Sequence, residues 1–201
     1  MPVPERTKKY YEKDRLELQI DRCASKKDPT TFDYQQVQTV ADIETKLDLY
    51  RWRAQDMSAR ELRKEHHQSS RLAEHMAIDG YPRPHSLCDA HAIVSGAHKR
   101  AAQQRALLAS LKLRVDDPFN GCWLPRNTAA IQSMPRTLRS AVPHSRIHRT
   151  NYYRWLDSEL RPASIRNVEV LKQKLKMVET RLQAGTQPKE VMEKASRGKK
   201  S

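Results

Sequence analysis

Two short stretches limit what this chain can become. Asp116-Asp117-Pro118-Phe119-Asn120-Gly121 is a dense cluster of turn-forming residues, and Cys122-Trp123-Leu124 follows before Pro125 ends the extended run. His91-Ala92-Ile93-Val94, after the breakers Gly80, Pro82 and Pro84, is the other run with strand character. Apolar side chains elsewhere recur at helical spacing. The pattern therefore predicts a mainly α fold with a small two-stranded β element.

The helical segments are readable one by one. Val40, Ile43, Leu47, Tyr50, Met57 and Leu62 space an amphipathic face through residues 34–65, while residues 5–27 carry only a thin stripe. Ala97 to Leu113 is rich in Ala, Gln, Arg and Leu and reads as a helix. Residues 126–143 read as a polar loop, Pro143 is placed to open a helix that runs through Leu160, and residues 164–184 form another, stopped by Gly185 and Pro188. These segments predict a helical extension over 1–65, a domain over 66–188 and a basic, disordered tail over 189–201.

Charge separates the segments by role. The chain carries +14 overall, but residues 1–65 hold 14 basic and 13 acidic side chains, against 24 and 11 in residues 66–201. A polyanion is the partner such a segment favours, which points to nucleic acid for the second part and to docking or partner contact for the first. No run approaches the length of a membrane span, and the N-terminus has no apolar stretch for a secretory leader. A soluble, cytoplasmic product follows as the expectation, with Cys23, Cys88 and Cys122 reduced and inert.

Histidine carries the chemistry. His144 and His148 are four apart in a predicted helix, which would stack two imidazoles on one face, the spacing two helical ligands of one metal ion need. On spacing alone a solvated pair is the commoner outcome. The combination of His91 on a strand, the Asn120-Gly121 turn, a second strand and the His144/His148 helix is more specific, since it is the order of a ββα-metal site. His66, His67 and His75 read as surface or packing residues, and His85 as a loop residue. Trp123, Tyr152, Tyr153 and Trp155 read as core.

Ala90-His91-Ala92-Ile93-Val94, the turn and strand from Asp116 to Arg126, and His144-Ser145-Arg146-Ile147-His148 with Tyr152-Tyr153 downstream resemble the AHH family of the HNH/endonuclease VII superfamily. The resemblance covers about residues 70 to 185. It implies an HNH-type ββα-metal nuclease core, one divalent ion (Mg, Mn, Zn or Ni) on His91, His144 and His148, a loop braced by Asn120, and phosphate contacts from Arg126, Arg146 and Arg149. It also implies hydrolysis of DNA, an antibacterial effector role, a neutralising immunity protein and delivery by a specialised secretion system into a target cell's cytoplasm, with residues 1–65 free to meet that system. The family's second motif histidine is its general base, and here that place is Ala92, which cannot accept a proton. A single lost base in a complete set reads as a catalytically inactivated form, disarmed rather than decayed. Asp89 and His98 are weak substitutes for the base. The rival readings are an RNA-directed nuclease and a non-catalytic nucleic-acid-binding module with a structural ion.

Overall fold

The computed structural model describes residues 8–194. The chain forms two compact units divided between Tyr50 and Arg51, earlier than the boundary near residue 66 that the charge balance suggests. In the first unit, α1 (Arg15–Ala24) opens on a reciprocal cap: Asp14 accepts from the Glu17 amide at 2.7 Å and Glu17 accepts from the Asp14 amide at 2.9 Å. The long α2 (Thr31–Asp56) runs through the division. Its Val40, Leu47 and Tyr50 are buried, as their helical spacing predicts, and so is Cys23 of α1.

The second unit contains α3 (Ala59–Lys64), α4 (Ser69–Ile78), β1 (Cys88–Ala92), α5 (Ala102–Ser110), β2 (Gly121–Pro125), α6 (Thr150–Glu159) and α7 (Val168–Ala184). β1 and β2 pair antiparallel, with His91 opposite Cys122 and Ala92 opposite Gly121. Two strands alone are not stable in water, so this ribbon depends on helices over both faces. Directly paired residues share a face and successive ones alternate. Ala90, Ala92 and Gly121 therefore look toward α4, where a Cβ on Gly121 would meet Met76 Sδ at 2.6 Å and Leu72 Cδ1 at 2.9 Å. Asp89, His91 and Cys122 look the other way, toward α6. The core gathers Leu72, Met76, Ile93, Leu124, Tyr152, Leu156, Leu171, Leu175 and Leu182.

Three sequence expectations need correction. The helix expected to begin after Pro143 begins only at Thr150; His144–Arg146 is a single 3₁₀ turn, and His148 has φ +63°, which no right-handed helix accommodates. Buried Ile147 plugs the core there and turns the chain. The polar loop over 126–143 is two 3₁₀ turns, Ala129–Ser133 and Arg136–Leu138, anchored by buried Ala130, Met134 and Leu138. The tail is packed at its start: Lys189–Met192 is a short helix with Val191 buried, and Met192 O accepts from Arg146 and Arg149. Residues 195–201 of that tail lie outside the described residues.

Charged side chains fasten residues 51–71 to the turn before β2. Buried Asp117 accepts from Arg51 Nε at 3.0 Å, and Arg51 Nη2 also reaches Asp79 at 3.0 Å. Fully buried Asp116 accepts from the Gln68 amide, Arg71 Nε and His67 Nδ1, while Glu65 pairs with Arg114 and Arg71. Burial alone would raise the Asp116 carboxyl, but these donors outweigh it and hold the group below its ordinary range. A buried pair that loses one partner leaves a bare charge, at a cost of about 3 kcal/mol or more. Arg51→Ala is accordingly expected to destabilise the protein by about that amount, seen as a lower Tm. A chain lacking residues 1–65 loses both Arg51 and Glu65 and is expected to melt without a cooperative transition; a Tm within a few degrees of the full chain would show that this clamp carries no stability.

Candidate metal centre

Three imidazoles meet above the α6 face of the ribbon. His91 comes from β1, His144 from the 3₁₀ turn after Pro143, and His148 from the left-handed position before α6. Ring centroids lie 5.1 Å apart for His91 and His144, 4.8 Å for His91 and His148, and 5.5 Å for His144 and His148. One ligand atom from each lies within 4.8 Å of the others.

Each ring has one nitrogen already engaged. Tyr152 donates its hydroxyl proton to Ile93 O at 2.8 Å, so its oxygen can only accept from His91 Nε2–H at 3.0 Å. This puts the His91 proton on Nε2 and leaves Nδ1 as a bare lone pair, buried without a partner among the described residues. His144 Nδ1 donates to Asp89 Oδ2 at 3.2 Å, which frees its Nε2, and His148 Nδ1 meets Tyr153 Oη at 3.1 Å. Ligand imidazoles in metal sites are held in this way, the second nitrogen bonded to a carboxylate or another polar group that fixes tautomer and orientation. An uncompensated lone pair beside two further free nitrogens fits a cation, and three neutral nitrogen donors suit a divalent transition ion.

The electrostatics agree with neutral rings at His91 and His148. Burial, then the neighbouring His148 and His144, pushes His91 well below its ordinary value. Burial and His144 bring His148 down to about 4. For Asp89, burial would raise the carboxyl, but the hydrogen bonds from His144 and Arg126 hold it low, so it stays an anion behind its histidine.

Asn120 is fully buried below this cluster. Its amide donates to Val94 O at 3.0 Å and Val115 O at 2.8 Å and accepts from the Val94 amide at 2.8 Å. Arg126 is exposed but its Nε pairs with Asp89 at 3.1 Å, and its carbonyl accepts from the Ser145 amide. Arg146 and Arg149 turn toward Met192 O rather than toward the histidines. Ala92 is buried and pairs with Gly121, so it shares the α4-covered face of the ribbon rather than the face that carries His91. His67 and His75 bind Asp116, and His85 Nδ1 accepts from the Leu87 amide, so none of them joins the cluster. The sequence reading missed the work of Asp89, Tyr152 and Tyr153. Asp89 was visible two residues before His91, on the same strand face; the tyrosines looked like core because they are core, and only their hydroxyls reach the site.

A family model described as a nuclease family of the HNH/ENDO VII superfamily with conserved AHH matches residues 72–187. The chain belongs to the AHH family. Neither curated proteins nor solved structures give a match. The mostly helical fold around one antiparallel ribbon agrees with an HNH-type ββα core. The AHH match begins inside α4, so the clamp residues Arg51, Glu65, His67 and Arg71 precede the matched region.

Two outcomes follow for this AHH domain. Adding Zn²⁺ or Mn²⁺ to chelator-treated protein is expected to raise the Tm, by the equivalent of about 2.7 kcal/mol at a hundredfold excess over Kd. His91→Ala and His144→Ala should abolish the shift, and Asp89→Asn should weaken affinity roughly 10- to 100-fold; an undiminished shift in His144→Ala would place the ion elsewhere. Without metal, the folded chain refuses protons at His148 that the unfolded chain takes up below its ordinary value of 6.5. Stability is then complete above that pH and is lost as pH falls toward about 4. Melting at pH 7 and pH 5 checks this, and His148→Asn should flatten the difference.

Proposed function

We propose that the chain is a metal-dependent endonuclease fold acting on DNA phosphodiester bonds, in the manner of an antibacterial effector, with turnover strongly impaired. The observation that carries the reading is the trio of imidazoles, each with one nitrogen fixed by the protein and one left for an ion.

A divalent ion bound there would polarise the scissile phosphate and stabilise the departing 3′ oxygen. The chain's own part is to orient. Asp89 and Tyr152 lock the ring planes of His144 and His91, and Asn120 fixes the backbone on either side of the ribbon from which His91 projects. With His91 and His148 neutral, neither ring has a proton to lose before a cation enters. Affinity for the polyanion would come from the excess of Lys and Arg after residue 65, with little sequence reading.

The general-base place of the family's motif, position 92, is alanine here and looks toward α4 rather than toward the imidazoles; a site left without a general base turns over roughly 10²- to 10⁴-fold more slowly. A resident nuclease would endanger the cell that makes it, so an acidic neutralising protein is the partner that complements this basic domain, with salt-sensitive association. The near-neutral residues before the domain suit docking to a delivery system better than contact with DNA.

Plasmid nicking with Mg²⁺, with Mn²⁺ and with chelator tests the reading. The expected result is slow nicking that chelator and His144→Ala both abolish. Cleavage at an ordinary enzymatic rate would refute the impairment. Intact plasmid under every metal, with DNA still bound, would favour a binding module with a structural ion, and faster loss of RNA than of plasmid would change the substrate.

A further inference from the structure

The basic side chains nominated by motif position are occupied. Arg126 is paired with Asp89, and Arg146 and Arg149 are turned onto Met192 O. The segment that leaves β1 offers different cations. After Val94 the chain runs through Ser95-Gly96-Ala97-His98-Lys99-Arg100 to α5, and Lys99 and Arg100 are exposed with no acidic partner among the described residues. With Ala97 and His98 they line an open hollow of about 550 Å³.

This hollow is linked to the histidine cluster through one aromatic ring. His98 stacks on Tyr153 with centroids 4.3 Å apart and planes 13° from parallel, and the Tyr153 hydroxyl meets His148 Nδ1 at 3.1 Å. His98 Nδ1 accepts the Arg100 amide at 3.2 Å, which leaves the proton of the neutral ring on Nε2. In that tautomer His98 is a hydrogen-bond donor and not a base. Arg105 holds the segment in shape by donating to Ser95 O at 3.0 Å and His98 O at 2.7 Å. A donor imidazole and two unpaired cations on a braced loop match an anionic oxygen, and the neighbouring site takes a phosphodiester.

We propose that the loop over residues 95–100 grips a DNA backbone phosphate flanking the scissile one, with Lys99 and Arg100 supplying charge and His98 Nε2–H a directed hydrogen bond. This rests on the nuclease reading and adds where the substrate strand lies: along the β1-to-α5 side of the cluster, past Tyr153, rather than over Arg146 and Arg149.

Binding of a fluorescent DNA duplex, followed by anisotropy in chelator so that the strand stays intact, tests it across a salt series. Each phosphate contact contributes about 0.9 to the slope of log affinity against log salt. Lys99→Ala/Arg100→Ala should flatten the slope by roughly 2, and His98→Asn should weaken binding several-fold with the slope unchanged. Arg161→Ala/Arg166→Ala, two exposed cations between α6 and α7, is the control for bulk charge. All variants are compared by Tm first. An unchanged slope in the loop variant, or an equal loss in the control, would overturn the loop assignment while leaving the nuclease reading intact. Failure of the unaltered chain to bind DNA would overturn both, and binding of RNA alone would reassign the phosphate to RNA.

Discussion

One buried amide underlies the geometry of the second unit. Asn120 has no access to solvent, and its side chain replaces water for two carbonyls and one amide on strands of chain that are far apart in sequence. A buried amide with its bonds made contributes modestly, whereas the same backbone groups left bare would each cost about 1–3 kcal/mol. That asymmetry makes the position hard to replace. It fixes where β1 ends and β2 begins, and hence which face His91 presents. The charged clamp acts one step further out: Asp116 and Asp117 precede the same turn, and Arg51, Arg71 and His67 pull it against the helices ahead of the ribbon.

The order of the ribbon was legible in the sequence because its signals are local. Turn-forming residues and a following apolar triplet need no tertiary context, and β2 appears where those signals put it, whereas β1 runs over Cys88–Ala92, three residues earlier than the run His91–Val94 suggests. The His144/His148 pair was legible for a reason that does not hold. Spacing of four suggested one helical face, yet His144 sits on a 3₁₀ turn and His148 at a left-handed backbone position, with buried Ile147 between them. The unit boundary was hidden for a similar reason. Counting charges treats Arg51 and Glu65 as solvated, and nothing in their local sequence says that their partners lie far along the chain in the turn before β2 and its approach.

The phosphate-contacting candidates show the same limit. Arginines beside a motif look available until the structure reveals their acceptors, and an unpaired lysine has no signature at all. What distinguishes Lys99 and Arg100 is the lack of a neighbour of opposite charge among the described residues together with the Tyr153 ring that joins their loop to the histidines.

The three imidazoles come from positions 91, 144 and 148, on a strand, a turn and a left-handed residue that share no local hydrogen-bonding unit. No short segment of the chain assembles the centre by itself, because the rings and the partners that aim them are spread from Asp89 to Tyr153. The unfolded chain is therefore chemically silent toward a cation at this place, and the centre arises in the same cooperative step as the core. Threading such a chain through a narrow passage would dismantle the centre without chemical damage, and refolding on the far side would rebuild it intact.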